Sequence, residues 1–77
     1  IGLSTSGNSI NIMKAFELAK AKGIITVAFT GESGGKMKDL ARYLINVPSG
    51  DTPRIQESHI TIGHIICQLV EAKYFTA

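Results

Sequence analysis

The run Ile24 to Phe29 (IITVAF) constrains the fold more than any other stretch. It is apolar at nearly every position and rich in β-branched residues. A strand with one wet face alternates apolar and polar side chains. A strand that is apolar throughout is covered on both faces, which is the habit of parallel sheets. Helical patterns stand on either side of it. Ahead of it, Ile10, Met13, Phe16 (or Ile12), Leu18 and Ala19 recur at helical spacing up to about Lys22. Ser9 or Asn8 can cap that helix, and Gly23 can take the left-handed stop. Behind it, a short helix is expected at about Lys36 to Ala41, with Met37 and Leu40 inward. Tyr43 to Val47 reads as another strand, and Ile1 to Leu3 as the end of an earlier one. After the turn-rich Pro48 to Pro53, Asp51 or Thr52 caps a long helix with Pro53 in its first position. That helix should reach about Tyr74, with Ile55, Ile62, Ile66, Leu69 and Val70 inward. The order strand-helix-strand-helix-strand-helix implies right-handed βαβ units, an α/β fold and a parallel sheet.

Seventy-seven residues make one domain at most, and so short a chain buries only roughly 60–65% of its unfolded surface. The chain starts inside a strand and has no initiator Met. A bare three-stranded piece would leave a sheet edge open. The expectation is therefore that residues 1–77 are the C-terminal part of a single domain whose N-terminal part is missing.

Charge and cysteine content exclude several classes. The net charge is +2, with Lys and Arg scattered. No basic cluster interleaved with aromatics marks a nucleic-acid surface. The longest apolar stretch, Ile60 to Val70, is broken by Thr61, His64 and Gln68. It falls short of the ~20 residues of a membrane span. The single cysteine, Cys67, forms no internal disulfide or CxxC metal pair, which fits a reducing, cytoplasmic setting. On an apolar helix, Cys67 reads as a small core residue.

Ser4-Thr5-Ser6-Gly7-Asn8-Ser9 lies between a strand end and a helix start. Ligands of open parallel sheets bind beyond the carboxyl ends of the strands. A helix start offers free N–H groups and a partial positive charge to an anion. Four hydroxyls and a glycine that permits close approach add up to a phosphate cradle without a lysine. An ordinary capped turn would use the same residue types. Neither GxxxxGK[ST] nor GxGxxG is present.

Three segments carry a family resemblance. Leu3 to Asn11 (LSTSGNSIN) resembles the phosphosugar loop of sugar isomerase (SIS) domains. Thr30 to Met37 (TGESGGKM) and Asp51 to His64 (DTPRIQESHITIGH) resemble the second loop and last helix of the phosphoheptose isomerase branch. The resemblance spans essentially the whole chain. It implies the C-terminal portion of a parallel-sheet, three-layer, flavodoxin-like SIS fold. It also implies that Ser4, Thr5, Ser6 and Ser9 hold a sugar phosphate.

On the last helix, Gln56, His59 and His64 interrupt the apolar pattern. Gln56 and His64 stand about 80° apart around the axis and about 12 Å apart along it, so long side chains can border one pocket. His59 lies about 140° from His64; it reads as a hydrogen-bonded, partly buried residue. Imidazole titrates near neutrality, which suits proton transfer. The resemblance implies that Gln56 and His64 lie in an active site with a zinc ion, that Gln56 also meets substrate, and that His64 is an acid/base. It places the other metal ligands, a His and a Glu, on an upstream helix outside this sequence. The chain then carries at most half a metal site. Arg54 reads as a partner in a structural ion pair, Glu57 as facing elsewhere, and Gly34-Gly35 as a tight helix entry.

The activity implied is an aldose–ketose isomerisation. It converts sedoheptulose 7-phosphate to D-glycero-D-manno-heptose 7-phosphate in bacterial heptose biosynthesis, through a homo-oligomer, typically a tetramer. The isolated chain is expected to be inactive. Two rival readings are a non-catalytic SIS protein that binds a replication initiator and a phosphosugar-sensing domain of a transcription regulator. The first shares R-I-Q-E but tends to lack the histidine at position 64 and to alter the serine loop. The second needs a helix-turn-helix segment, which is absent here.

Overall fold

The computed structural model describes residues 1–75. In chain order it contains β1 (Gly2–Leu3), α1 (Ile10–Ala21), β2 (Val27–Thr30), a 3-10 helix (Gly35–Asp39), β3 (Tyr43–Asn46) and α2 (Thr52–Phe75). The strands form one parallel sheet in the order β1-β2-β3. The register sets Gly2 opposite Ala28 and Leu3 opposite Phe29, then Ala28 opposite Leu44 and Phe29 opposite Ile45.

Side chains alternate across a strand, so Ala28 and Phe29 point to opposite faces. On the Ala28 face, Ala28, Phe16 of α1 and Met37 of the 3-10 helix form the core, flanked by Ile12, Met13, Leu40 and Ala41. A Cβ on Gly2 would lie 2.6 Å from the Phe16 ring, so the glycine lets α1 settle against β1. On the Phe29 face lies α2, whose Ile55 and His59 are buried. The fold is therefore α/β, with helices on both faces of a parallel sheet, as the all-apolar strand implies.

The differences from the sequence reading have local causes. β2 begins at Val27, not Ile24, because residues 22–24 finish α1. Gly23 N donates to Lys20 O and Ile24 N to Ala19 O, with Gly23 at φ 73°. This is a Schellman ending, and it leaves Ile24 and Ile25 exposed. Ile10 and Leu18 are exposed as well; the sheet meets α1 only around Ile12, Met13 and Phe16. The expected short helix is a 3-10 turn, entered through left-handed Gly34 and Gly35. α2 starts at Thr52, with Ile55 N donating to Asp51 O, so Pro53 is its second residue rather than its first.

The inward stripe of α2 holds only at Ile55, with Ile62 and Ile66 half-buried. Leu69, Val70 and Cys67 are exposed. At 1.5 Å per residue, a 24-residue helix is about 36 Å long. A four-residue strand spans about 13 Å, so the second half of α2 runs past the sheet. Cys67 is thus not a core residue of the described chain. No helix among the described residues is long and apolar enough to cross a membrane.

Candidate functional site

The loop 4–9 leaves the carboxyl end of β1 and enters α1. Its backbone is anchored on β2: Ser4 N donates to Phe29 O, and Thr5 O accepts from Gly31 N, both at 2.9 Å. Ser4 is 5% exposed. Its hydroxyl receives Gly7 N at 3.1 Å and meets Ser9 Oγ at 2.7 Å. Ser6 Oγ accepts from Asn8 N.

Ser9 occupies the N-cap of α1 with extended backbone, yet makes no side-chain cap bond. Asn8 does not cap α1 either. Its Oδ1 accepts Lys36 N at 2.8 Å, tying the first loop to the second. The first bond of the helical ladder runs from Met13 N to Ser9 O. The N–H groups of Ile10, Asn11 and Ile12 therefore stand ahead of it, at the positive end of the helix.

Two glycines weld the loops together. A Cβ on Gly7 would strike the Gly34 carbonyl, and one on Gly35 would lie 2.5 Å from Ser6 O. Met37 N also donates to Gly7 O at 2.9 Å. Backbone lies on backbone there, so the hydroxyl-rich bend is held from below.

Above it lies a cavity of about 510 Å³ lined by Leu3, Ser4, Thr5, Ser9, Gln56, His59 and Ile60. Ser4, Thr5, Ser9 and Gln56 thus line one cavity. Ser6 lines the adjoining hollow with Thr5, Glu32, Ser33, Ser49 and Thr52. His64 does not share the cavity with Gln56. It borders a neighbouring apolar hollow with Ile1, Leu3, His59, Ile60 and Cys67. The expectation of one pocket for Gln56 and His64 gives way to two adjacent ones. The 12 Å axial offset between them decides this.

The structure bears out the reading of His59 as a hydrogen-bonded helix histidine and carries it further. The residue is 2% exposed, its Nε2 lies 2.9 Å from Thr30 O, and its ring meets Phe29 edge-on at 5.6 Å. Periodicity places His59 on the buried face, but nothing in the local sequence marks a backbone carbonyl 29 residues away as its partner.

Zinc fits this chain only in part. Gln56 and His64 are two donors, and no group of three His, Cys, Asp or Glu side chains able to hold a metal occurs among the described residues. Four ligands are the rule for zinc, or three and a water, so the residues present do not make such a centre. Glu57 is engaged with Arg54, Nη2 to Oε1 at 2.6 Å on the outer surface of α2, as the ion-pair reading of Arg54 has it.

The phosphoheptose isomerase of Aneurinibacillus thermoaerophilus is 67% identical over 75 residues, which cover 97% of this chain and 38% of that protein. Phosphoheptose isomerase 2 of Campylobacter jejuni is 60% identical over the same share of this chain and 37% of its own length. The chain thus spans under half the length of the curated relatives it matches. A solved phosphoheptose isomerase from Neisseria gonorrhoeae superposes with a TM-score of 0.86 at 40% identity, over 90% of this chain and 40% of that one. This chain matches the C-terminal part of the phosphoheptose isomerases. One from Francisella tularensis agrees, with a TM-score of 0.84, 35% identity, and coverage of 88% and 37%. The phosphoheptose isomerase fold, an SIS fold, is therefore present here in its C-terminal portion. No family model matches the chain.

Proposed function

We propose that this chain forms the phosphate-gripping part of an aldose–ketose isomerase that converts sedoheptulose 7-phosphate to D-glycero-D-manno-heptose 7-phosphate. The observation that carries the reading is the Ser4–Ser9 bend under an uncapped helix start, inside a cavity shared with Gln56. The names of the relatives supply the substrate class.

In this reading the phosphoryl oxygens replace the Ser4–Ser9 contact and accept from the hydroxyls of Ser4, Thr5, Ser6 and Ser9. The N–H groups at the start of α1 add charge-matched donors. Holding the distal phosphate fixes C1 and C2 for the reaction. A base removes a proton from C1, the enediolate forms, and a proton returns at C2; a second proton passes from O1 to O2. Gln56 meets the sugar beside the loop. His64 carries a proton between the oxygens. The carboxylate base comes from residues outside this chain, since Glu57 is paired with Arg54 on another surface. Zinc would supply charge stabilisation, with donors beyond Gln56 and His64 likewise from outside.

The reading extends to assembly and place. Ile60, Ile65, Leu69, Val70, Tyr74 and Phe75 of α2 are exposed apolar residues. They support association into a homo-oligomer, a tetramer by resemblance; the cytoplasm as its place rests on the resemblance. Light scattering of the full-length protein should give more than a monomer; a monomer alone contradicts this. The functional test is turnover of sedoheptulose 7-phosphate by the full-length protein and its His64→Gln variant. The reading requires turnover by the first and at least a hundredfold loss in the second, a loss of the order general acid/base groups supply. Sugar-phosphate binding without turnover by either would favour a non-catalytic SIS protein.

A further inference from the structure

The peptide group joining Thr30 to Gly31 stands between α2 and the phosphate loop. Its carbonyl, Thr30 O, accepts from His59 Nε2 at 2.9 Å and from Val47 N at 3.0 Å. Its N–H, on Gly31, donates to Thr5 O at 2.9 Å. One rigid plane therefore links a buried histidine of the last helix to the second residue of the bend. A Cβ on Gly31 would lie 2.6 Å from Thr5 O and 2.8 Å from Ile55 Cδ1, so the peptide is gripped from both sides.

A carbonyl only accepts, so the proton between His59 and Thr30 sits on Nε2. That nitrogen is occupied as a donor and is unavailable as a base. Hydrogen bonds in series polarise one another. A donor on Thr30 O strengthens the pull of Gly31 N–H on Thr5 O. The Phe29 ring, edge-on to the imidazole, limits where the histidine can swing.

We infer that His59 is a positioning residue for the phosphate loop, acting on Thr5 through the Thr30–Gly31 peptide. This rests on the assignment of residues 4–9 as the phosphate site, and it gives that site a support which the sequence does not reveal. His59 touches neither the phosphate nor the reacting carbons in this account. Its loss weakens grip on the phosphate and raises KM, while the shape of the pH–rate profile stays the same.

The test uses the full-length protein with His59→Gln, His59→Leu and Ser4→Ala. The amide Nε2 of glutamine can take the place of the imidazole Nε2–H; leucine cannot donate. His59→Asn, too short to reach Thr30, replaces the leucine variant should that one not fold. Two quantities are read: affinity for sedoheptulose 7-phosphate by calorimetry, and hydrogen exchange at the Gly31 amide by NMR. The Leu or Asn variant should lose about tenfold in affinity, the size expected for one buried bond broken, and its Gly31 amide should exchange faster. The Gln variant should stay within about threefold of the parent on both. A folded Leu or Asn variant with parental affinity and parental Gly31 exchange overturns the inference. So does a Gln variant as weak as Leu. Failure of the phosphate-site assignment looks different: Ser4→Ala then binds as the parent does, while Gly31 exchange still reports whether His59 holds the loop.

Discussion

Ser9 stands where a helix cap belongs, but its hydroxyl shares a hydrogen bond with that of Ser4 instead, Oγ to Oγ at 2.7 Å. A serine N-cap ordinarily satisfies an N–H of the first turn. Here that turn stays uncapped by the side chain, and the two hydroxyls face a cavity. In the proposed reading, an anion opens the pair and takes up both the hydroxyls and the helix start.

Ser9→Ala should therefore separate binding from stability. Loss of a serine that caps costs about 1 kcal/mol; here no cap bond is lost and only the contact with Ser4 goes, which should cost about 0.5–1.5 kcal/mol. A hydrogen bond to a charged phosphate is worth about 1.5–3 kcal/mol, so affinity for sugar phosphate should drop at least about tenfold. Urea unfolding and calorimetry on one sample distinguish the two quantities. A large stability loss with unchanged affinity would mean that Ser9 is structural.

Gly7 is held at φ 73°, with the Gly34 carbonyl where a side chain would begin. Gly7→Ala adds left-handed strain of about 1–3 kcal/mol to a backbone clash. We expect destabilisation of at least about 2 kcal/mol by thermal unfolding, together with loss of phosphate binding, because the two loops can no longer lie together.

Met37 is fully buried between Phe16 and Ala28. Met37→Ala should cost about 2–5 kcal/mol, measured by urea denaturation. So small a core offers little to refill the space. A cost below about 1 kcal/mol would mean that the turn repacks freely.

How much of this was legible in the chain can be argued residue by residue. The apolar run around Val27 to Phe29 announces a strand buried on both faces, and Gly23 announces the end of α1; both follow from local chemistry. The reading fails at Ile24, whose backbone is committed to the Schellman turn, and at Ile25, which follows it exposed and ahead of β2. It fails at Cys67, Leu69 and Val70, where helical periodicity marks a face but cannot say how far the sheet beneath it extends. The hydroxyls of the first loop are visible as a cluster. The cavity they share with Gln56 and the role of His59 are not, because both depend on where α2 crosses the sheet.

Arg54 and Glu57 make a close ion pair, but both side chains are more than half exposed. Solvent screens such pairs, so Arg54→Ala should cost under about 0.5 kcal/mol. The loss should shrink further in high salt. Denaturation curves at two salt concentrations check this; a salt-independent loss above about 1 kcal/mol would contradict it.

The central claim is that residues 4–9 grip a sugar phosphate. The most direct measurement is a crystal structure of the full-length protein with sedoheptulose 7-phosphate bound. The account predicts phosphoryl oxygens at about 2.6–3.1 Å from hydroxyls of Ser4, Thr5, Ser6 or Ser9 and from N–H groups at the start of α1. A phosphoryl group ordered elsewhere, for instance beside Lys20 and Arg42 in the hollow lined by Gly23 to Thr26, would contradict it.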